Sequence, residues 1–178
     1  DTTLYVVGTN ALGCSKTEKH IITTKAYPVI TTIADSNIVC KGEIAYIEVA
    51  TDIESEYIWN NDNTETENKI SKAVHEQTTF TVKATSKEGS CTTEKEYVVS
   101  TRELPTLLAS DVTICKNESA ILQASSSSNI KKYSWVGTDS IGSQFTTPAI
   151  SEATTYTVIG EDIFGCRGEK EIAIRIND

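Results

Sequence analysis

One stretch occurs three times, and it limits what the chain can fold into. It reads TTLYVVGTNALGC from Thr2 to Cys14, TTFTVKATSKEGSC from Thr78 to Cys91, and TTYTVIGEDIFGC from Thr154 to Cys166. The outer copies are thirteen residues long and the middle copy has one more before its Cys. Each is a short alternating run, a polar turn with Gly, and a Cys. Alternation with period two marks a strand with one face toward a core, so each copy is a strand entering a turn.

The rest of the chain can be placed relative to these copies. Cys40 matches Cys115, and Cys91 matches Cys166, both at an offset of 75 residues. Tyr57-Ile58-Trp59 matches Tyr133-Ser134-Trp135, and Phe80 matches Tyr156, at an offset of 76. Offsets that change only in turns are the mark of tandem domains. Pro28 opens the first complete repeat, residues 28–104, and Pro105 opens the second, residues 105–178. Residues 1–27 read as the tail of a repeat whose front is missing: an alternating run through Leu4 and Val6, a turn at Asn10–Gly13, Cys14, and a second run through Ile21 and Ile22. That is a β-hairpin and the expected weakest part unless it packs on a neighbour, with Cys14 unpaired for want of its own repeat's first cysteine.

Within each repeat the alternation assigns an inner face. Ala45, Ile47 and Val49 share one face of a strand, as do Ala120, Leu122 and Ala124. Tyr-x-Trp puts both aromatics on one face of the next strand. Phe80 and Val82, or Tyr156 and Val158, point inward after that. The last strand carries Val98 and Val99, or Ile172, Ile174 and Ile176, as its core residues. No window shows a helical stripe, and turn signals recur every eight to twelve residues. Short strands at this spacing in repeats this small predict all-β tandem sandwiches.

Composition narrows the function. The 178 residues carry a net charge of −9, and this field repels phosphate backbones, which argues against nucleic-acid binding. No apolar run approaches the roughly eighteen residues of a membrane span. No signal peptide is visible, so the chain reads as an interior piece or mature product of something longer. Five Cys at repeating positions point to an oxidising compartment.

Cys40 and Cys91 are 51 residues apart, as are Cys115 and Cys166. The simplest pairing is therefore within repeats, Cys40 with Cys91 and Cys115 with Cys166. In the chain-entropy description such a bond contributes about 4 kcal/mol. Geometry raises an alternative. The first Cys precedes one strand and the second follows another, so the two can lie at opposite ends of a sandwich. A disulfide needs Cα atoms within about 7 Å, and Cys40 would then staple to Cys166 of the next repeat. Zinc finds little support, since no CxxC or nearby His accompanies the cysteines.

No residue set points to catalysis, a cofactor or a metal. His20 aligns with Tyr97 and Ile172, an ordinary strand position, and His75 aligns with Ser151 in a loop. Neither has a Cys or Ser partner placed for nucleophilic chemistry. Carboxylates are plentiful, but two small sandwiches offer little cleft for a glycosidase pair, and Glu43 and Glu118 read as turn residues. The Asx- and Glu-rich loop Asn60–Asn68 has oxygens suited to Ca²⁺. The second repeat lacks the cluster there, which favours a solvated loop. Trp59 and Trp135 read as core residues rather than a flat sugar-binding platform. Tyr46 and Ile121 fall on the outer face of their strands. Asn117-Glu118-Ser119 fits an N-glycosylation sequon.

These motifs resemble the tandem Ig-like or PKD-like repeats of very large secreted surface proteins of Bacteroidetes. The residues that carry the likeness are Val39-Cys40-Lys41-Gly42-Glu43 and Ile114-Cys115-Lys116-Asn117-Glu118, the two Tyr-x-Trp motifs, and Thr154 to Cys166. Asn117 in place of Gly, and Ser90 between Gly89 and Cys91, depart from the pattern at turn positions. The resemblance implies an extracellular, cell-surface protein of gliding motility or adhesion, or the spacer region of an exported enzyme, sent out by type IX secretion. Its expected partners are neighbouring repeats of the same polypeptide, with surface polysaccharide or other cell-surface proteins as possible targets. Asp1-Thr2-Thr3 and Asp139-Ser140-Ile141 look like the Asp-Ser/Thr-apolar sites of O-glycosylation in that group, at Thr2 and Ser140.

Overall fold

The structure, a computed structural model, describes residues 1–177, and every regular element among them is a strand. β1 (Thr2–Thr9) and β2 (Ser15–Ile22) pair antiparallel as an eight-rung hairpin. The next seven strands are β3 (Ile30–Asp35), β4 (Ile38–Cys40), β5 (Ile44–Thr51), β6 (Ser55–Trp59), β7 (Lys69–Ala73), β8 (Thr78–Ser86) and β9 (Thr92–Arg102). They form one sheet in the order β3-β5-β7 and another in the order β4-β9-β8-β6. The last eight are β10 (Leu107–Leu108), β11 (Val112–Cys115), β12 (Ile121–Gln123), β13 (Ser125–Ser126), β14 (Ile130–Trp135), β15 (Gln144–Thr146), β16 (Thr154–Asp162) and β17 (Arg167–Asn177). Of these, β11-β17-β16-β14 make the main sheet, with the two-stranded pairs β10-β13 and β12-β15 completing the set.

The period-two pattern builds the cores. On β5, Ala45, Ile47 and Val49 are buried while their neighbours are partly exposed. Across from them lie Trp59 of β6, Phe80, Val82 and Ala84 of β8, and Tyr97 of β9. Trp59 packs on Tyr97 with ring centroids 6.2 Å apart. The second core gathers Leu107, Leu122, Trp135, Ile150, Val158, Ile172 and Ile174. Phe145 bridges Trp135 and Tyr156, at centroid distances of 5.4 Å to each. Each buried indole N–H has a carbonyl acceptor: Trp59 donates to Glu67 at 2.9 Å and Trp135 to Gly142 at 3.0 Å. These bonds remove the cost of burying a polar atom.

One inner-face expectation needs correction. Val98 is exposed, and the buried residues of β9 are Tyr97 and Val99. Adjacent strand residues point to opposite faces, so Val98 and Val99 cannot both enter the core. Ile176 is only half-buried, near the end of its strand.

In both repeats the cysteine-bearing strand joins its sheet by parallel pairing. Ile38, Val39 and Cys40 run beside Ser100, Thr101 and Arg102. Val112 to Cys115 run beside Ile174 to Asn177. A tight turn then leads on: Glu43 N donates to Cys40 O, and Glu118 N to Cys115 O. Its third residue is left-handed, Gly42 at φ +87° and Asn117 at φ +67°. Asn is one of the few side chains that tolerates this region, which explains the departure at Asn117.

Contacts group the chain into two compact units that run out of phase with the sequence repeats. One contains residues 1–37, 45–72 and 78–98, and the other 38–44, 73–77 and 99–178. The first unit thus holds the hairpin with most of the first sandwich. The second holds the second sandwich with three short segments of the first repeat, one of which carries Cys40.

Candidate functional site: the cysteine-bearing turns

The three copies of the opening stretch fold into three versions of one turn. Asn10 Oδ1 accepts from Leu12 N at 2.9 Å and Cys14 N at 3.0 Å. Asp162 Oδ1 accepts from Phe164 N at 2.8 Å and Cys166 N at 2.9 Å. Backbone bonds close both loops: Asn10 N donates to Cys14 O, and Asp162 N to Cys166 O, each at 3.0 Å. Gly13 and Gly165, directly before the Cys, are left-handed at φ +83° and +88°. A short polar side chain at the loop's first position therefore holds the amide of the cysteine itself.

The middle copy adapts to its extra residue. Ser86 takes the Asx position and accepts from Gly89 N at 3.2 Å. The left-handed residue before Cys91 is now Ser90, at φ +54°. The requirement belongs to the position before the cysteine, and the insertion moved Gly out of it.

Cys40 and Cys166 form a disulfide with Cα atoms 5.5 Å apart, across 126 residues of sequence. Cys14, Cys91 and Cys115 are free thiols, Cys91 partly covered and the other two exposed. The within-repeat pairing of Cys40 with Cys91 and Cys115 with Cys166 is therefore corrected, and the alternative raised by geometry is the one found. The reason is strand length. Cys115 lies beside Asn177 at the end of β17, while Cys166 precedes its first residue. Eleven residues of extended strand span about 35 Å, several times a disulfide's reach. Cys40 stands in the same register at the far end of β9 from Cys91.

Arg102 joins the site from the end of β9. Its guanidinium lies 3.8 Å from the Phe164 ring centre, on the turn that presents Cys166. A cation over an exposed ring contributes about 0.5–1 kcal/mol. Sequence reading passed over Arg102. The available signal was a basic residue three places before proline in both segments, Lys25 before Pro28 and Arg102 before Pro105.

The other candidates fall to structural duties. In the Asn60–Asn68 loop, Asn60 and Asn61 are both left-handed, at φ +50° and +58°, as a two-residue hairpin turn demands. Asp62 accepts from Thr64 N and Oγ1 at 2.9 and 2.7 Å, and these bonds hold its carboxyl below the ordinary value. Asn68 Nδ2 donates to Val49 O at 3.0 Å, and Glu65 pairs with Lys72. The loop's polar side chains thus serve its own turns and tie it to the neighbouring strands. Among the described residues no group of three or more His, Cys, Asp or Glu is placed to hold a metal ion.

His20 is exposed on β2, and His75 is exposed in a bend beside Gly42. Glu118 Oε2 accepts from Cys115 N at 3.4 Å, a turn contact, and Glu43 closes the matching turn through its backbone. Trp59 and Trp135 are almost wholly buried, at 0% and 1% exposure, so neither presents a sugar platform. Ile121 is exposed and Tyr46 half-buried, its hydroxyl donating to Glu48 at 2.5 Å. Thr2 and Asn117 are exposed, and Ser140 is half-buried in a loop.

No protein-family model matches the chain, and no curated protein matches it. Among solved structures it is similar to the fibronectin(III)-like modules of Clostridium thermocellum CbhA, at 12% identity and a TM-score of 0.41, over 84% of this chain and 94% of that one. It is similar to the N-terminal eight Ig domains of Down Syndrome Cell Adhesion Molecule, at 11% identity and a TM-score of 0.44, over 96% and 30% of the two chains. Two Ig domains of DIP-gamma give 12% identity and a TM-score of 0.33, over 85% and 99%. The fold is an all-β, Ig-like sandwich. Facing sheets and a buried Trp on the strand before the Asx-rich or Gly-containing turn define it within the chain itself.

Proposed function

We propose that the chain is a non-catalytic, extracellular repeat region that acts as a disulfide-stapled rod within a large surface adhesin. Its work is to hold a distal adhesive part away from the cell. The observation that carries this reading is the bond between Cys40 and Cys166, which joins residues of two consecutive sequence repeats inside one compact unit. A disulfide over 126 residues contributes about 5 kcal/mol in the chain-entropy description, which is a large gain for domains this small. A bond of this kind persists in an oxidising compartment, which supports an extracellular location.

The parent suggested by the Val39–Glu43, Tyr-x-Trp and Thr154–Cys166 motifs is a gliding or adhesion protein of Bacteroidetes exported by type IX secretion. Neighbouring repeats of the same polypeptide are its direct partners. Thr2 and Ser140 are its candidate O-glycosylation sites, of which exposed Thr2 is the more accessible.

A glycan array with the oxidised chain tests the reading. A spacer gives no reproducible binding. Saturable binding to one glycan class overturns it in favour of a carbohydrate-binding module.

A further inference from the structure

Cys91 sits in surroundings that repeat those of Cys166. Aligned by the cysteines and prolines that flank them, Thr23, Thr24 and Lys25 take the places of Ser100, Thr101 and Arg102. In the second unit, Arg102 lies over the turn that presents Cys166. In the first unit, Lys25 lies against the turn that presents Cys91: a Cβ at Gly89 would stand 2.7 Å from Lys25 Cβ. The turns of Cys91 and Cys166 thus each rest on the basic residue three places before a proline.

The difference lies beside that basic residue. In the second unit the place is filled by β4, whose Ile38 and Val39 pair with Ser100 and Thr101 while Cys40 reaches Cys166. In the first unit Thr23–Lys25 belong to no strand. A cleft of about 540 Å³ opens there, lined by Thr23, Thr24 and Lys25 with Ile53, Ser86 and Gly89. The hairpin is open on the same side of the comparison. Leu4, Val6 and Ile22 hold the places of Phe80, Val82 and Val99, yet they are 48%, 58% and 50% exposed where those three are buried.

We propose that Cys91 and this cleft form a seat for the cysteine-bearing strand of another repeat of the same kind. The occupant has the form of Ile38-Val39-Cys40, runs parallel to Thr23–Lys25, and bonds its cysteine to Cys91. The bond forms by thiol–disulfide exchange. A glutathione disulfide first caps the strand's cysteine and releases one glutathione thiol. The Cys91 thiolate then attacks the capped sulfur and expels the second. Two protein thiols are oxidised to one disulfide, and one glutathione disulfide is reduced to two thiols. This rests on the stapled-repeat reading above, but the two fail separately, because glycan binding would leave the selectivity of Cys91 untouched.

The test uses the whole oxidised chain in a glutathione buffer with the octapeptide Ser36–Glu43. Peptide mapping then locates the adducts. Cys14 and Cys115 are the more exposed thiols, so reactivity by access alone favours them. The expected result is capture at Cys91 in at least about tenfold excess over either, equivalent to about 1.4 kcal/mol of selection. A peptide carrying Ile38→Asp and Val39→Asp is expected to lose that excess. Adducts that follow exposure, absence of an adduct at Cys91, or equal capture of both peptides would overturn the proposal.

Discussion

At the scale of single residues, several positions are set by backbone shape rather than by contacts. Asn117 holds a left-handed turn position that Gly42 holds in the first repeat. Asn117→Gly is expected to leave the melting temperature within about a degree or two. Asn117→Val is expected to cost about 1–3 kcal/mol, because a branched side chain is strained there; calorimetry of the two variants checks both. Gly168 is constrained by proximity, since a Cβ would stand 1.8 Å from Pro105 O. Gly168→Ala should therefore destabilise by about 1–3 kcal/mol through forced backbone movement, read in the same scans. Asp162 shows how one carboxylate organises a loop. Asp162→Ala leaves the amides of Phe164 and Cys166 without their acceptor, with an expected loss of about 1–3 kcal/mol. Asp162→Asn should recover most of it, as Asn10 does the same work in the first copy.

At the scale of elements, the alternating runs were the most legible part of the sequence. Ala45, Ile47 and Val49, and both Trp residues, lie where period two places them. Val98 was misplaced because two adjacent apolar residues offer a choice of face that alternation alone does not resolve. The Asn60–Asn68 loop was ambiguous for another reason. The oxygens that would bind a cation are the same ones that build hairpin and Asx turns, and only geometry separates the two uses. Its turn has a pH signature. Thr64 N–H and Oγ1 hold the Asp62 carboxylate below the ordinary aspartate value of 3.8. A depressed folded value means the contribution is fully present above the ordinary value and lost as pH falls through the depressed one. The Thr64 amide resonance is therefore expected to titrate with a midpoint below 3.8, and the transition should vanish in Asp62→Asn.

At the scale of the molecule, the repeat legible in the sequence and the unit that packs together are different objects. The offset of 75 residues between matching cysteines shows a period but not a phase. Pairing by equal separation favoured Cys40 with Cys91, whereas the eleven-residue last strands keep the two cysteines of a repeat apart. A non-reducing peptide map should recover Cys40 joined to Cys166, with Cys14, Cys91 and Cys115 alkylated. Cys166→Ser is expected to lower stability by about 2–5 kcal/mol, and reduction of the unaltered chain should match it.

The same bond decides where tension runs when the chain is pulled by its ends. With Cys40 joined to Cys166, load passes from the N-terminal segment through two sulfur atoms to the C-terminal strand. The chain between them, a sequence separation of 126, is bypassed. Once the bond is broken, unravelling the strands between the two cysteines would add roughly 400 Å of extended chain. While the bond is intact, extension is confined to the residues outside it, chiefly the β1–β2 hairpin and β3.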